Sequence, residues 1–407
     1  MSCIIIGASH AGVQAAANLR RQGYTGKVTL ISADIVLPYQ RPPLSKAFLQ
    51  NVLPEQKLWL RPETFYQQKD IDLMLGKRVT NIDREQRTVS LDDMQCLSYD
   101  KLILATGASV RRLTVPGSDL SGVHYLRDYQ DTIGIRDSLK KAHNVVVIGG
   151  GYIGLEVAAS LQKLGKNVTL LLKHDRPLSH ISNNVVSDYL TQLHTTHGVN
   201  IQLNVVVTEI IGVDKVLAVE TENGQRYPAD MVIAGIGVVP EQQLAEQCGL
   251  DVNNGIRVNE YMQTSDHNIY AIGDCSSFYH PVYQKQLRIE SVQNATDQAK
   301  TASTAICGQF VPYSATAWFW SDQYDDKLQT AGLSEGYDEI VIRQETEKSL
   351  AVFYLAQNQL IAVDTINQPK SFMISRKYIH NLPKVNKVIL ADKSQDLNSA
   401  FTEIAGV

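Results

Sequence analysis

Residues 149–154, with the sequence GGGYIG, limit the possible folds of this chain more than any other segment. They follow the apolar run VVVI at residues 145–148 and precede a helical stretch that continues to Lys163, after which a second apolar run occupies residues 167–172. A glycine turn that joins a buried strand to a helix at this spacing is typical of a βαβ unit that binds a dinucleotide. Because three adjacent glycines otherwise only add entropy to the unfolded chain, the turn predicts a nucleotide site.

The same pattern occurs at the N-terminus, where an apolar strand leads into the turn GASHAG at residues 7–12, a helix at about residues 11–22 and a strand at residues 27–31. Ser9 replaces the second glycine of the usual fingerprint. A serine is small enough for a pyrophosphate to approach the helix N-terminus, whose free N–H groups and dipole favour an anion. Alone, this copy fits a nucleotide site and a purely connecting turn about equally. Together, the two copies predict an α/β fold with two Rossmann-like dinucleotide-binding domains.

The order of the two units predicts that the first domain is discontinuous. A buried strand ends in a turn at residues 102–107, residues 112–139 connect to the second unit, and an apolar strand at residues 231–237 closes that unit. From about residue 317 onward, strands alternate with helical stretches. We expect three domains: a first nucleotide-binding domain at residues 1–109 and 239–316, a second at residues 110–238, and a C-terminal α+β domain at residues 317–407.

The composition argues against several classes of protein. The net charge of −4 does not favour a nucleic-acid binder. No apolar run has the roughly 20 residues that cross a membrane, and no secretory leader precedes the first strand, so we expect a cytoplasmic protein. The five cysteines form no C-x-x-C pair and no metal-ligand grouping with histidine. We therefore expect no metal site and no redox disulfide.

The residue after the second strand of each unit indicates the kind of ribose that is bound. A carboxylate at this position holds a free 2′-hydroxyl, whereas a basic side chain accommodates a 2′-phosphate. The first unit has Asp34 near this position, and the second has Lys173, followed two residues later by Asp175. Lys173 favours NADPH over NADH at the second turn. The alternative is that Lys173 is solvated and Asp175 binds the ribose of NADH.

Five further segments lie outside the two turns. They are YQRPPLSK at residues 39–46, ATG at residues 105–107, GD at residues 273–274, RIESVQNA at residues 288–295 and WFWSDQY at residues 318–324. By these segments and their spacing, the chain resembles, nearly end to end, the FAD-dependent ferredoxin reductases of oxygenase systems, which belong to the pyridine nucleotide-disulfide oxidoreductase superfamily. The resemblance implies FAD at the first turn, NADH or NADPH at the second, and a [2Fe-2S] ferredoxin or a rubredoxin as electron acceptor. These acceptors serve Rieske oxygenases or cytochromes P450.

The resemblance implies three catalytic residues. Lys46 would lie beside the flavin, where a cation stabilises the negative charge that develops on the ring. Glu156, which we place in the first turn of its helix, would orient the nicotinamide, and Trp320 would lie beside the isoalloxazine ring. Each has a simpler alternative: a surface lysine after two prolines, a favourable charge near a helix N-terminus, and a buried core tryptophan.

The implied FAD contacts are Gly7, Ser9, His10, Ala11, Gly12, Asp34, Arg41, Pro42, Lys46, Ala105, Thr106, Gly107, Arg127, Asp274, Val292 and Trp320. The implied nicotinamide-nucleotide contacts are Gly149, Gly151, Tyr152, Ile153, Gly154, Glu156, Lys173 and Gly237.

Several of the remaining implied contacts also have simpler alternatives. Asp274 would accept a hydrogen bond from the ribityl chain, and it could also be an ordinary helix cap. Arg127 resembles a family arginine at FAD, and an exposed connector arginine would look the same. His10 flanks the first turn and is also a candidate for simple packing. The sequence leaves these alternatives open.

The missing C-x-x-C pair implies that electrons leave to a separate protein. Because such acceptors are acidic, we expect a basic rim near the flavin. Its candidates are Lys46, Arg288, Lys327, Lys384 and Lys387. The chain is expected to be a monomer or a homodimer. Two alternatives are an NAD(P)H oxidase that uses oxygen directly and a signalling flavoprotein that resembles apoptosis-inducing factor.

Overall fold

The computed structural model describes residues 1–401, and no helix in that range is long and apolar enough to cross a membrane. The α-helices of this range, in chain order, are α1 (His10–Arg21), α2 (Glu63–Gln68), α3 (Tyr129–Leu139), α4 (Tyr152–Lys163), α5 (Asn184–Thr196), α6 (Gln243–Gln247), α7 (Val292–Ile306), α8 (Pro369–Ile379) and α9 (Lys387–Ala391). The strands, in chain order, are β1 (Ser2–Ile6), β2 (Lys27–Ile31), β3 (Ile71–Met74), β4 (Val79–Asp83), β5 (Thr88–Leu91), β6 (Cys96–Ser98), β7 (Lys101–Leu104), β8 (Ala108–Val110), β9 (Val123–Tyr125), β10 (Asn144–Ile148), β11 (Asn167–Leu171), β12 (Asn200–Gln202), β13 (Val207–Gly212), β14 (Val216–Thr221), β15 (Arg226–Pro228), β16 (Met231–Ala234), β17 (Val238–Pro240), β18 (Ile256–Val258), β19 (Ile269–Ala271), β20 (Ser276–His280), β21 (Lys285–Leu287), β22 (Trp318–Gln323), β23 (Asp326–Gly332), β24 (Glu339–Thr346), β25 (Ser349–Ala356) and β26 (Gln359–Ile366). By its internal contacts the chain divides into two compact units.

The first unit contains Met1–Gln40, Glu55–Ser109 and Val239–Ala317. Its main sheet has the strand order β19-β7-β1-β2-β3, and every neighbouring pair is parallel. Most of these strands are buried aliphatic runs, as expected where both faces of a parallel sheet are covered. Ile6 of β1 lies beside Ile31 of β2 and Leu104 of β7, and Leu104 lies beside Ala271 of β19. The four segments that follow these residues therefore meet at one edge of the sheet.

The second unit contains Arg41–Pro54, Val110–Val238 and the chain from Trp318 onward. Its parallel sheet has the strand order β12-β11-β10-β16-β9. Ile148 of β10 lies beside Leu171 of β11 and Ala234 of β16, so the second glycine turn shares its edge with the segments that follow these two strands. Two parallel sheets of the same construction confirm the predicted α/β fold with Rossmann-like cores.

Residues 41–54, which the sequence groups with the first domain, pack within the second unit. The Phe48 ring lies 5.5 Å from the ring of Tyr129 on α3. Gln50 Nε2 donates a hydrogen bond of 2.9 Å to Ser160 Oγ on α4. These contacts hold the loop against α3 and α4, the second of which begins at the second glycine turn.

The second unit also contains the antiparallel sheet β22-β23-β26-β25-β24, on which α8 packs. One acid is fully buried in this sheet: Asp364 Oδ2 accepts hydrogen bonds from Ser182 Oγ (2.6 Å) and Tyr354 Oη (2.5 Å), and its Oδ1 accepts one from Thr330 Oγ1 (2.5 Å). Burial raises the pKa of Asp364 above its ordinary value. These bonds attach the loop that contains Ser182, between β11 and α5, to the antiparallel sheet.

His194 of α5 is fully buried against β22. Its Nε2 lies 2.9 Å from Gln323 Oε1, and its Nδ1 lies 3.4 Å from Tyr324 Oη. Burial lowers the pKa of His194 to about 4, although the hydrogen bond to Gln323 acts in the opposite direction. The ring is therefore neutral at pH 7.

Through His194 alone, the free energy of unfolding is expected to fall by about 3 kcal/mol between pH 6.5 and pH 4. The unfolded imidazole takes up a proton below its ordinary pKa of 6.5, whereas the folded ring stays neutral until about pH 4, so acid favours the unfolded state. The substitution His194→Gln removes this proton uptake. Denaturation at pH 7 and pH 5 should show a smaller loss of stability in the variant than in the wild type, and equal losses would contradict the argument.

Candidate functional site

The first glycine turn bends where only glycine fits. Gly7 has a φ of +105°, and a Cβ there would lie 2.2 Å from the carbonyl oxygen of Ala105 at the end of β7. A Cβ on Gly12 would lie 1.9 Å from the carbonyl oxygen of Gly7. Ser9 is the extended residue before α1, and His10 begins the helix, which carries no acid in its first turn. The turn therefore presents a helix N-terminus that suits an anion.

Three other predicted FAD contacts lie at the same edge of the first sheet. Thr106 follows β7, and its Oγ1 donates a hydrogen bond of 2.6 Å to the carbonyl oxygen of Glu241. Asp274 lies in the 3-10 turn that follows β19, and Asp34 follows β2. Asp34 Oδ2 accepts a hydrogen bond of 3.0 Å from Tyr39 Oη. The edge thus collects the predicted ribose acid and the Gly-Asp element beside the first glycine turn.

A buried glutamine supports the Gly-Asp element. Gln298 Oε1 accepts hydrogen bonds from Gly273 N (2.7 Å) and Ser276 Oγ (2.8 Å), and the side chain is fully buried in α7. Val292, another predicted contact, is the first residue of this helix. The sequence did not single out Gln298, because nothing in its neighbourhood distinguishes it from any other helical glutamine.

Two further predicted FAD contacts, Arg41 and Arg127, lie in the second unit and contact each other: Arg41 Nη1 donates to the carbonyl oxygen of Arg127. The backbone N–H of Arg127 in turn donates to Asp131 Oδ2 at 2.8 Å. Burial raises the pKa of Asp131, and the negative charge of Asp128 raises it further. Arg127 is thus fixed by its backbone at the start of α3, and its side chain is partly buried.

The second glycine turn repeats the first in detail. Gly149 has a φ of +114°, and a Cβ there would lie 2.3 Å from the carbonyl oxygen of Gly235, while a Cβ on Gly154 would lie 2.0 Å from the carbonyl oxygen of Gly149. Around Gly151, by contrast, a Cβ would meet no atom within 4 Å. No side chain caps α4, which begins at Tyr152. The open space at Gly151 and the uncapped helix fit a pyrophosphate.

The loop after β11 lies against this turn. Leu178 N donates a hydrogen bond of 3.0 Å to the carbonyl oxygen of Gly150. The loop begins with the exposed Lys173, and the rings of His174 and His180 meet edge to face with their Nε2 atoms 3.1 Å apart. Arg176 is occupied with the loop itself, because it donates hydrogen bonds to the carbonyl oxygens of Ser182 (2.8 Å) and Ser179 (2.9 Å). Lys173 is thus exposed in a loop that packs on the second glycine turn.

The other predicted nucleotide contacts follow from the same turn. Ile153 is exposed, and Gly237, with a φ of +99°, has no atom within 4 Å of an added Cβ. Gly237 lies after β16, whose end is aligned with that of β10. Both residues are therefore accessible.

Glu156 lies in the second turn of α4, as its fifth residue, and not in the first turn as the sequence suggested. Its side chain is only 3% exposed. Its Oε2 accepts hydrogen bonds from Lys46 Nζ and Ser45 Oγ, each of 2.5 Å, and its Oε1 accepts one of 2.7 Å from Ser321 Oγ. A carboxylate has about four lone-pair sites, so roughly one on Oε1 is left for another donor.

Lys46 is part of this network and is not an exposed surface lysine. Its side chain is 18% exposed, and its Nζ also donates to the carbonyl oxygen of Pro42 at 3.0 Å. Such an ion pair is strongly coupled, because each charge would be costly to bury without the other. Lys46 and Glu156 were predicted from the sequence as site residues, but their partners Ser45 and Ser321 were not.

The spacing of helix and strand explains how Ser321 reaches Glu156. Tyr152 and Glu156 are four residues apart on α4 and lie on one face of the helix, and two residues of β22 lie opposite them. The Phe319 ring contacts that of Tyr152, with centroids 4.2 Å apart, and Ser321 bonds to Glu156. Trp320 lies on the opposite face of β22 from Phe319 and Ser321, and its side chain is partly exposed. It is therefore not a buried core tryptophan.

All five cysteines lie within the described residues, and none forms a disulfide. Cys275, which follows the Gly-Asp element, is fully buried, and its Sγ donates to the carbonyl oxygen of Ile272 at 3.3 Å. Burial raises the pKa of Cys275, so it carries no reactive thiolate. Residues 1–401 also contain no cluster of histidine, cysteine and acidic side chains that could hold a metal ion.

Four of the five cations expected in a basic rim are paired with carboxylates. Lys46 is paired with Glu156, Arg288 with Glu290, Lys327 with Asp322 and Lys387 with Glu339. A paired cation attracts a distant acidic partner less than an unpaired one. The rim remains a prediction, with much of its positive charge offset locally.

Comparison with known proteins gives relatives that extend over almost the whole chain. Residues 1–299 match the family described as pyridine nucleotide-disulphide oxidoreductase, and residues 318–401 match the domain described as reductase C-terminal. Rhodocoxin reductase of Rhodococcus erythropolis is 42% identical over 403 residues, which cover 98% of this chain and 94% of that protein. Rubredoxin-NAD(+) reductase of Pseudomonas putida is 41% identical over 372 residues, which cover 91% of this chain and 97% of that protein. The solved structure of a ferredoxin reductase for the CYP199A2 system from Rhodopseudomonas palustris is 38% identical with a TM-score of 0.96, and the match covers 98% of this chain and 100% of that one.

Proposed function

Because the chain belongs to the pyridine nucleotide-disulphide oxidoreductase family, we propose that it is an FAD-dependent NAD(P)H:ferredoxin reductase. Membership of the family confirms the resemblance that the sequence motifs indicated. The observation that carries the proposal is the buried ion pair of Lys46 and Glu156 on the helix that begins at the second glycine turn. It provides a cation for a reduced flavin and a carboxylate for a nicotinamide, with no thiol among its hydrogen-bond partners.

When bound, FAD supplies the acceptor for the hydride of NAD(P)H and the source of single electrons for the next protein. Gly7 and Gly149 allow the backbone to bend so that each helix N-terminus could hold a pyrophosphate. The Lys46 ammonium would stabilise negative charge on the flavin ring system. The unused lone pair of Glu156 Oε1 would accept an N–H of the nicotinamide carboxamide and so orient the ring for transfer.

The electrons leave to a ferredoxin, with a rubredoxin as the alternative acceptor. Solved and curated relatives are named as reductases of both kinds. No disulfide in the described residues offers an internal acceptor, which supports a separate protein as the next carrier. A cytoplasmic location and a monomeric or homodimeric state are part of this proposal.

The dependence of NADPH oxidation on ferredoxin separates this function from the oxidase alternative. The holoenzyme is mixed with NADPH in air, with and without a [2Fe-2S] ferredoxin, and NADPH oxidation and hydrogen peroxide are followed. A reductase should oxidise NADPH slowly alone and at least tenfold faster with ferredoxin. A tenfold rate difference is equivalent to about 1.4 kcal/mol of activation free energy. Fast oxidation without ferredoxin, with matching peroxide, would identify an oxidase.

The coenzyme is NADPH in preference to NADH. The exposed Lys173 stands where an NADH-specific site has a carboxylate, and it begins the loop that packs on the second glycine turn. One relative is named for NAD(+), so the preference rests on this lysine and not on the family.

The substitution Lys173→Glu is expected to lower the ratio of kcat/KM for NADPH to that for NADH by about tenfold, because it replaces an attraction for the 2′-phosphate with a repulsion. Steady-state kinetics with both coenzymes measure the ratio. Lys141→Glu, which makes the same charge change at an exposed lysine after α3, should leave it unchanged. If Lys173→Glu also leaves the ratio unchanged, Lys173 does not face the ribose.

A further inference from the structure

A line of buried hydrogen bonds extends from Glu156 through the second unit. Ser321 Oγ, which donates to Glu156 Oε1 at 2.7 Å, accepts a bond of 3.2 Å from Gln323 Nε2. Gln323 Oε1 lies 2.9 Å from His194 Nε2, and His194 Nδ1 lies 3.4 Å from Tyr324 Oη. Ser321, Gln323 and His194 are all at most 2% exposed. The carboxylate of Glu156 is thus connected by hydrogen bonds to two residues of β22, one residue of the turn after it and one residue of α5.

The direction of every bond is fixed from the carboxylate outward. An ionised Glu156 only accepts, so the Ser321 hydroxyl uses its single proton on Glu156 and must itself accept from an N–H of Gln323. The amide of Gln323 then turns its oxygen to His194, which must donate from Nε2. The other ring nitrogen, Nδ1, is left to accept from the Tyr324 hydroxyl. All four donors therefore point toward Glu156.

One further observation agrees with this order. The chain requires a neutral His194, and burial keeps the pKa of that ring low, at about 4. In a buried chain of aligned bonds, each donor polarises the next and strengthens the last bond, the one to the carboxylate. Other titratable or charged groups near the chain include Lys46, Tyr152, Lys163, His197, Asp325 and Asp322, which lies between Ser321 and Gln323 and is paired with Lys327. Of these, Lys46 is the one that bonds directly to Glu156.

We propose that Tyr324, His194, Gln323 and Ser321 form a one-directional hydrogen-bond chain that holds Glu156 as a fixed, ionised acceptor. The four are positioning residues, since they act through Glu156 on the orientation of the nicotinamide. This inference rests on the proposed function for its catalytic consequence, but the chain itself is a property of the protein alone. It also gives the C-terminal domain a part in the first half of the reaction, because β22 supplies the last donor.

The order of donors is tested first, without any coenzyme. Nitrogen-15 NMR of the histidine-labelled holoenzyme identifies His194 as the signal that is lost in His194→Gln. The chain requires a neutral ring protonated on Nε2, with Nδ1 bare, down to about pH 5. A ring protonated on Nδ1, or one that titrates near its ordinary value, would overturn the proposal. This readout is independent of electron transfer, so it separates failure of the chain from failure of the proposed function.

The consequence for hydride transfer is tested in the anaerobic reduction of the bound flavin by NADPH. Ser321→Ala should lower the limiting rate by about 10- to 100-fold, as expected for losing one hydrogen bond to a charged group. The acid limb of the pH profile of this rate should move to higher pH. Ser321→Thr, which keeps the hydroxyl, should retain the limiting rate and the pH profile of the wild type. Gln323→Glu, which keeps the shape but removes the N–H, should resemble Ser321→Ala.

A matched control separates positioning from stability. Thr365→Val removes a buried hydroxyl of the same antiparallel sheet, one that donates only to the carbonyl oxygen of Gln329 at 3.2 Å. It should cost stability much as Ser321→Ala does and leave the rate and its pH profile unchanged. If Thr365→Val slows reduction equally, or if Ser321→Ala leaves both rate and profile unchanged, the chain has no positioning role.

Discussion

The substitution Lys46→Met is expected to lower the limiting rate of flavin reduction by about 100-fold and the free energy of unfolding by about 3–5 kcal/mol. The side chain keeps its length but loses its charge, which leaves the 3%-exposed carboxylate of Glu156 without a cation. The rate is expected to fall because, in the proposed mechanism, the developing negative charge on the flavin ring would lose a stabilising ammonium. Anaerobic stopped-flow absorbance measures the rate, and urea denaturation measures the stability.

An exposed ion pair provides the control for this result. Lys140 Nζ bonds to Asp137 at 2.8 Å, but both side chains are more than half exposed, so Lys140→Met should change neither rate nor stability measurably. If Lys46→Met is equally silent, the buried pair is a packing feature and has no part in catalysis. A loss of stability with a normal rate would place Lys46 in the fold but away from the flavin.

The second large effect is expected from one added methyl group in each glycine turn. Gly12→Ala and Gly154→Ala put a Cβ 1.9 Å and 2.0 Å from backbone carbonyl oxygens, so the helix must move away from the strand. Gly12→Ala should yield a protein that does not retain FAD. Gly154→Ala should retain FAD, and its reduction by NADPH should slow by more than about 100-fold, as expected for a displaced site.

These two variants also test which turn binds which nucleotide. The absorbance of the purified proteins at the flavin bands and their reduction by NADPH give the two readouts. Gly134→Ala, in the middle of α3, has no atom within 4 Å of the added Cβ and should be normal in both. If Gly154→Ala loses the flavin and Gly12→Ala retains it, the assignment of the two turns is reversed.

The fold was predictable where its constraints are local. A glycine turn between an apolar strand and a helix specifies its own geometry, and the strand predicted at residues 27–31 is observed as Lys27–Ile31. The positive φ of Gly7 and Gly149 follows from the same short motif. Such features depend on neighbours in sequence, which the sequence displays directly.

The partners of Glu156 were not predictable in the same way. Ser45 is 111 residues away and Ser321 is 165 residues away, so no local pattern brings them to the carboxylate. Two features of the sequence could have indicated the contact with Ser321. Tyr152 and Glu156 are four residues apart on one helix, and β22 has a serine among its aromatic residues. His194 gave no signal, because a buried histidine and an exposed one look alike in a helix of mixed polarity.

The most direct test of the central claim follows electrons from NADPH to an iron–sulfur protein without oxygen. The purified holoenzyme is reduced anaerobically with NADPH, oxidised [2Fe-2S] ferredoxin is added, and both spectra are recorded. The flavin should bleach on addition of NADPH and recover as ferredoxin is reduced, with two ferredoxins reduced for each NADPH consumed. A flavin that NADPH does not bleach, or one that stays reduced in the presence of oxidised ferredoxin and rubredoxin, would contradict this account.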